Sequence, residues 1–182
     1  MKLIYRTAYM NKLASAMGTP DIKVITGIRR CGKSKLLEAF ADQIRASFPT
    51  ANIIRINFNL LEFEPLMQYR ALHDYVEKHF VEGCNNVVII DEVQMCEGFE
   101  KAINSLHASE KYDIYITGSN AFLLSNDLST LFTGRTFEVE VFPFSLAEFA
   151  QYHEITSPDE ALTRYLREGG MPGSYLLTSP PA

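Results

Sequence analysis

The chain has 182 residues, 47 per cent apolar and 21 per cent charged, with a formal net charge of −5. That length holds one domain with a sizeable core, and the composition is that of an ordinary soluble globular protein. The acidic balance argues against a dedicated nucleic-acid surface, which would carry a basic stripe, while leaving room for a local one; no apolar run approaches the roughly 18 residues of a membrane span.

The first residues, Met1-Lys2-Leu3-Ile4-Tyr5-Arg6, lack the apolar core of a signal peptide. Cys31, Cys84 and Cys96 are widely spaced and form neither a metal-ligand nor a disulfide pattern. A reducing cytoplasm is the expected compartment. No internal repeat or low-complexity segment is present.

Residues 6–17 carry Tyr9, Leu13 and Met17 at four-residue spacing, a weak helical pattern that Gly18-Thr19-Pro20 stops. Ile22-Lys23-Val24-Ile25-Thr26 is short and β-branched and reads as a buried strand. It runs into Gly27-Ile28-Arg29-Arg30-Cys31-Gly32-Lys33-Ser34, which fits the phosphate-loop pattern G-x-x-x-x-G-K-[ST]. Lys35-Leu36-Leu37-Glu38-Ala39-Phe40 then has helical spacing. Strand, glycine loop and helix is the context that motif requires. The glycines let successive N–H groups turn inward around an anion, and the helix presents its unpaired N–H groups to the same point. Lys33 then reaches the β- and γ-phosphates, and Ser34 offers its hydroxyl to Mg²⁺. Arg29 and Arg30 read more simply as solvated loop cations than as phosphate contacts. Cys31 reads as a small loop residue.

A second strand is expected over 52–58, and a helix over 66–82 that Gly83 ends. Asn86 to Glu92 forms the third strand, apolar throughout its middle, which suits a strand covered on both faces. A helix over about 98–108, a fourth strand over 112–118 and short helical turns over 120–132 follow. Residues 137–141 alternate as a fifth strand. Two helices close the pattern, over 145–152 and 159–168. Each has a plausible cap: Ser145 with Glu148 three residues on, and Ser157-Pro158. Gly169-Gly170-Met171-Pro172-Gly173 breaks regular structure. Strands alternating with helices imply α/β architecture: a three-layer α/β/α P-loop NTPase core on a mainly parallel five-stranded sheet. The expected division is a helical lead-in over 1–20, the core over 21–152, and a helical extension over 153–182 that opens a C-terminal region absent from this chain.

Asp91 ends the third strand and Lys33 follows the first, so both should lie on the carboxyl edge of the sheet, where ligands gather. Asp91 there suits Mg²⁺, through a water. Glu92 suits a water in line with the γ-phosphate. Ser119 or Asn120, after the fourth strand, reads equally well as a γ-phosphate sensor or as a helix cap. Gln94 reads as a partner of Glu92 or, more simply, as a solvated residue. Arg135 reads as a surface arginine or as a stabiliser of phosphoryl charge, in cis or across a subunit interface.

These segments resemble the AAA+ ATPases, and within them a prokaryotic subgroup of uncharacterised AAA-type ATPases. The likeness rests on the phosphate loop, Ile90-Asp91-Glu92-Val93-Gln94, Ile116-Thr117-Gly118-Ser119-Asn120, Leu131-Phe132-Thr133-Gly134-Arg135, Phe142-Pro143-Phe144-Ser145-Leu146-Ala147-Glu148-Phe149 and Gly169-Gly170-Met171-Pro172. It spans about residues 5–175. The resemblance implies ATP and Mg²⁺ as cofactors and ATP hydrolysis as the activity. It implies nucleotide contacts from Gly27, Ile28, Arg29, Arg30, Cys31, Gly32, Lys33, Ser34 and Lys35. Ser34 and Asp91 would serve the metal, Glu92 the water, Asn120 the sensor and Arg135 the arginine finger. Members of the subgroup usually continue into a long C-terminal part, through which any nucleic-acid engagement would run. A homo-oligomer completing the site through Arg135 is one implied partner; a membrane is not.

Two other readings stay in play. One is a nucleotide-gated regulatory switch with negligible hydrolysis of its own. The other is a small-molecule kinase, disfavoured because the segment from 120 to 140 holds one arginine where a lid needs several. Adenine is favoured by the resemblance, and no guanine-reading Asn-Lys-x-Asp quartet is present.

Overall fold

A computed structural model describes residues 4–118, 132 and 134–176. Among the described residues five strands form one sheet: β1 (Ile22–Thr26), β2 (Asn52–Asn57), β3 (Asn86–Asp91), β4 (Tyr112–Thr117) and β5 (Thr136–Glu140). Every pairing is parallel, in the order β2-β3-β4-β1-β5. Parallel strands need crossovers, and the helices that make them cover both faces. Helices α1 (Thr7–Ala16) and α2 (Lys33–Ser47) bury Met10, Leu13, Leu36, Phe40 and Ile44 against Ile25, Ile89, Tyr115 and Val139. Helices α3 (Tyr69–Lys78) and α4 (Phe99–Ala108) bury Leu72, Val76, Phe99, Ile103 and Leu106 against Val24, Ile56, Val88, Ile90 and Ile116. Odd and even strand positions feed opposite clusters, as the two-residue period of a strand requires. This is the three-layer α/β/α architecture expected.

Helices α5 (Leu146–His153) and α6 (Pro158–Glu168) follow β5. Both caps form as the sequence indicates. Ser145 and Glu148 close a reciprocal capping box, and Ser157 caps α6 with Pro158 in its first turn. A separate small cluster of Ile4, Phe144 and Phe149, with Tyr152, Tyr165 and Tyr175 against it, holds this end together.

The helix expected over 66–82 is shorter. A 3-10 helix occupies Leu61–Leu66, and α3 begins only at Tyr69. The intervening backbone bridges Glu97: its N–H donates to the Met67 carbonyl at 2.8 Å, and its carbonyl accepts from Tyr69 at 3.1 Å. That pairing requires extended geometry at Gln68, where ψ is 135°. A tertiary contact overrides the local period. The turns expected over 120–132 fall almost wholly outside the described residues.

Lys23 lies in the middle of β1 with none of its surface exposed. Its ammonium donates to Asp113 Oδ1 and to the Thr19 carbonyl, each at 2.6 Å. Asp113 Oδ2 accepts from the Gly18 N–H at 3.0 Å and from the Tyr115 hydroxyl at 3.2 Å. Burial, reinforced by the Asp113 charge, raises the Tyr115 phenol well above its ordinary range, so it stays a donor. The network fastens the α1–β1 turn to β4 at the amino edge of the sheet.

Candidate functional site

The candidate site residues gather at the opposite, carboxyl edge. The register β2–β3 pairs Asn57 with Asp91, and β3–β4 pairs Ile90 with Ile116, which brings Asp91 beside Thr117. β1 ends there too, and its chain turns at once into the glycine loop. Gly27 has φ 138°, and a Cβ on it would stand 2.2 Å from the Val141 carbonyl oxygen, so no side chain fits. Arg30 takes a left-handed φ of 68°. Gly32, at φ 104°, is the residue from which α2 departs. Alternating handedness of this kind turns backbone N–H groups toward one centre.

Lys33 is 5 per cent exposed. Its ammonium donates to the carbonyls of Gly27 at 2.7 Å and Ile28 at 3.1 Å, which keeps it folded over the loop. Ile28, Arg29 and Arg30 are exposed, as solvated loop residues are, and Cys31 is fully buried. Burial raises the Cys31 thiol against the opposing pull of Lys33, so the side chain is a small core residue rather than a nucleophile. Lys35 pairs with Glu38 on the exposed side of α2.

Asp91 is 6 per cent exposed. Thr117 donates its hydroxyl to Asp91 Oδ1 at 2.5 Å and accepts the Glu92 N–H at 3.0 Å. One hydroxyl therefore ties the two acidic residues to β4. Glu92 sits at φ 57°, a strained setting for a non-glycine residue, and a 3-10 turn over Val93–Met95 follows. Its carboxylate accepts from Gln94 Nε2 at 2.5 Å. Gln94 is thus a partner of Glu92 and not a solvated residue. The amide orientation follows from chemistry, since only the NH₂ group can face a carboxylate.

Ser34 and Asp91 open onto one cavity of about 400 Å³, which Arg55, Asn57 and Glu62 also line. A hydroxyl and a carboxylate are the hard oxygen donors that Mg²⁺ prefers, with waters completing its shell. Among the described residues no cluster of three or more His, Cys, Asp or Glu side chains suits a transition metal, and no helix is long and apolar enough to cross a membrane.

Among the described candidates, Arg135 stands apart from this group. Ser119 and Asn120 lie outside the described residues. Arg135 is exposed at the start of β5, and its carbonyl accepts the Ile22 N–H at 2.9 Å, at the amino edge. Five residues of β5 separate it from the loop's edge, roughly 16 Å at 3.3 Å per residue. Sequence reasoning missed Thr117. Its signal was available: a hydroxyl at the end of a strand adjoining that of Asp91.

Sheet order, loop and paired acids define a P-loop nucleotide-binding domain of the ATPase type. The AAA domain family matches residues 19–150, and the chain belongs to that family. An uncharacterised protein of Haemophilus influenzae is 33 per cent identical over 184 residues, covering 98 per cent of this chain and 46 per cent of its own length. The chain thus spans less than half of that relative. Among solved structures, C. elegans PCH-2 matches with a TM-score of 0.61 at 18 per cent identity, over 92 per cent of this chain and 50 per cent of that one. AMPPCP-bound DnaA from Aquifex aeolicus matches at 0.59 and 18 per cent identity, over 93 and 57 per cent. At that identity the structural likeness speaks for the fold alone.

Proposed function

We propose that the chain binds Mg·ATP at the Gly27–Ser34 loop and hydrolyses its terminal phosphoanhydride. The observation that carries this is the three-residue constellation beside the loop, in which Thr117 fixes Asp91 and the strained Glu92 together. Lys33 neutralises the β- and γ-phosphates, and the loop N–H groups and the α2 terminus hold their oxygens. Ser34 and Asp91 would hold Mg²⁺, which would supply neutralisation of the phosphate charge. Glu92, aimed by Gln94, accepts a proton from the attacking water. Asn120 takes the sensor role. The fold neighbour DnaA from Aquifex aeolicus is AMPPCP-bound, and by analogy the nucleotide proposed here is an adenine nucleotide.

The placement of Arg135 favours its action across a subunit interface, since its own loop is a strand length away. The same observation favours slow turnover by a lone protomer, which is the regulatory-switch reading in its most specific form. The test is phosphate release measured across protein concentration, with Mg²⁺ or with chelator. Turnover per protomer is expected to rise with concentration and to vanish without the metal. Arg135→Ala should abolish the rise while leaving the dilute rate unchanged. A dilute rate that falls as far as the concentrated one would place the arginine in cis instead.

A further inference from the structure

Arg6 stands just ahead of α1 and is 4 per cent exposed. Its guanidinium meets Glu148 with two bonds, Nε to Oε1 at 2.8 Å and Nη2 to Oε2 at 3.0 Å. Nη2 also donates to the Phe142 carbonyl at 2.9 Å, and Nη1 to the Cys31 carbonyl at 3.3 Å. The group lies over the Tyr9 ring, 4.4 Å from its centroid. One side chain therefore joins the lead-in, the phosphate loop, the segment after β5 and helix α5. Burial alone would raise the Glu148 carboxyl, but the hydrogen bonds from Arg6 and Ser145 outweigh it and hold the group below its ordinary range. The pair is charged and part-buried, with Glu148 18 per cent exposed, and its bidentate form is geometrically demanding.

The bond to Cys31 acts on the loop itself. A carbonyl drawn outward in this loop leaves the following N–H groups to face inward, where an anion would sit. On the loop's other flank, the backbone of Gly173 lies so close to Arg30 that a Cβ there would meet the Arg30 side chain at 3.2 Å. Phe144 N–H donates to the Gly170 carbonyl at 2.7 Å, so both contacts belong to the unit that α5 and α6 build.

We propose that Arg6 is a positioning residue for the phosphate loop, held in place by Glu148, so that nucleotide binding and the docking of α5 are one coupled event. The inference rests on the nucleotide-binding reading above and adds a residue that touches neither phosphate nor metal. Coupling of this kind is reciprocal: what the helix lends to nucleotide affinity, the nucleotide returns to the helix.

The test compares the parent with Arg6→Lys, Glu148→Gln and the double variant. Lysine keeps a cation and loses the fork. Calorimetric titration with the Mg²⁺ complex of the β,γ-methylene analogue of ATP is expected to give about tenfold weaker binding for each single variant. The double variant should be no weaker than either, because both remove one strut. A merely structural pair would lower the melting temperature and leave the affinity of the folded protein untouched. Folded single variants that bind like the parent overturn the proposal. If the variants do not fold, hydrogen exchange on the parent decides: saturation with the same complex should increase protection across residues 146–153, and unchanged exchange there overturns it. A parent that does not bind the analogue overturns the nucleotide reading itself, an outcome distinct from normal binding by the variants.

Discussion

Glu92→Gln will bind Mg·ATP about as well as the parent and turn it over about 10²- to 10⁴-fold more slowly, the usual worth of a positioned general base. The substitution is nearly isosteric, so the φ of 57° and the N–H bond to Thr117 are retained. What is lost is the carboxylate that accepts from Gln94 at 2.5 Å. An amide there has little basicity and cannot take the proton. Single-turnover phosphate release, with nucleotide affinity measured on the same samples, separates the loss of chemistry from loss of binding. Equal turnover by variant and parent would remove Glu92 from the reaction.

The second large effect lies at the opposite edge of the sheet. Asp113→Ala should destabilise the fold by about 3–5 kcal/mol, because it strands the fully buried Lys23 ammonium with one carbonyl partner. Lys23→Met should be milder, about 1–3 kcal/mol, a loss nearer that of a hydrogen bond than of a buried charge. Asp113 is 14 per cent exposed, and it keeps its donors from Gly18 and Tyr115. Equilibrium denaturation with an unchanged slope measures both. Equal losses, or a larger loss for Lys23→Met, would contradict the view that the cation is the more deeply dependent partner.

The phosphate loop, the strand behind it and Asp91 were legible because each is written in consecutive residues. So were the two helix caps, Ser145 with Glu148 and Ser157 with Pro158, since a cap is a local event. A mainly parallel sheet followed from strands alternating with helices, and every pairing among the described strands is parallel. What stayed hidden depends on partners remote in sequence. Lys23 looks out of place in a buried strand until Asp113, 90 residues on, meets it. Thr117 matters because β4 lies beside β3. The late start of α3 at Tyr69 follows from a bridge to Glu97, which no helical period reveals. Arg6 carried no motif, and its partner Glu148 is 142 residues away. Gln94 was visible as a neighbour of Glu92, but its orientation depends on the left-handed turn at Glu92.

The central claim is that the amides of residues 27–34, with the Lys33 ammonium, receive a nucleoside triphosphate and its metal. Titration calorimetry of the purified chain with ATP and Mg²⁺ tests it most directly. The expected result is saturable heat for one site per protomer, weaker with chelator and absent in Lys33→Ala folded like the parent. A parent that gives no heat with any nucleoside triphosphate, magnesium present, would contradict it.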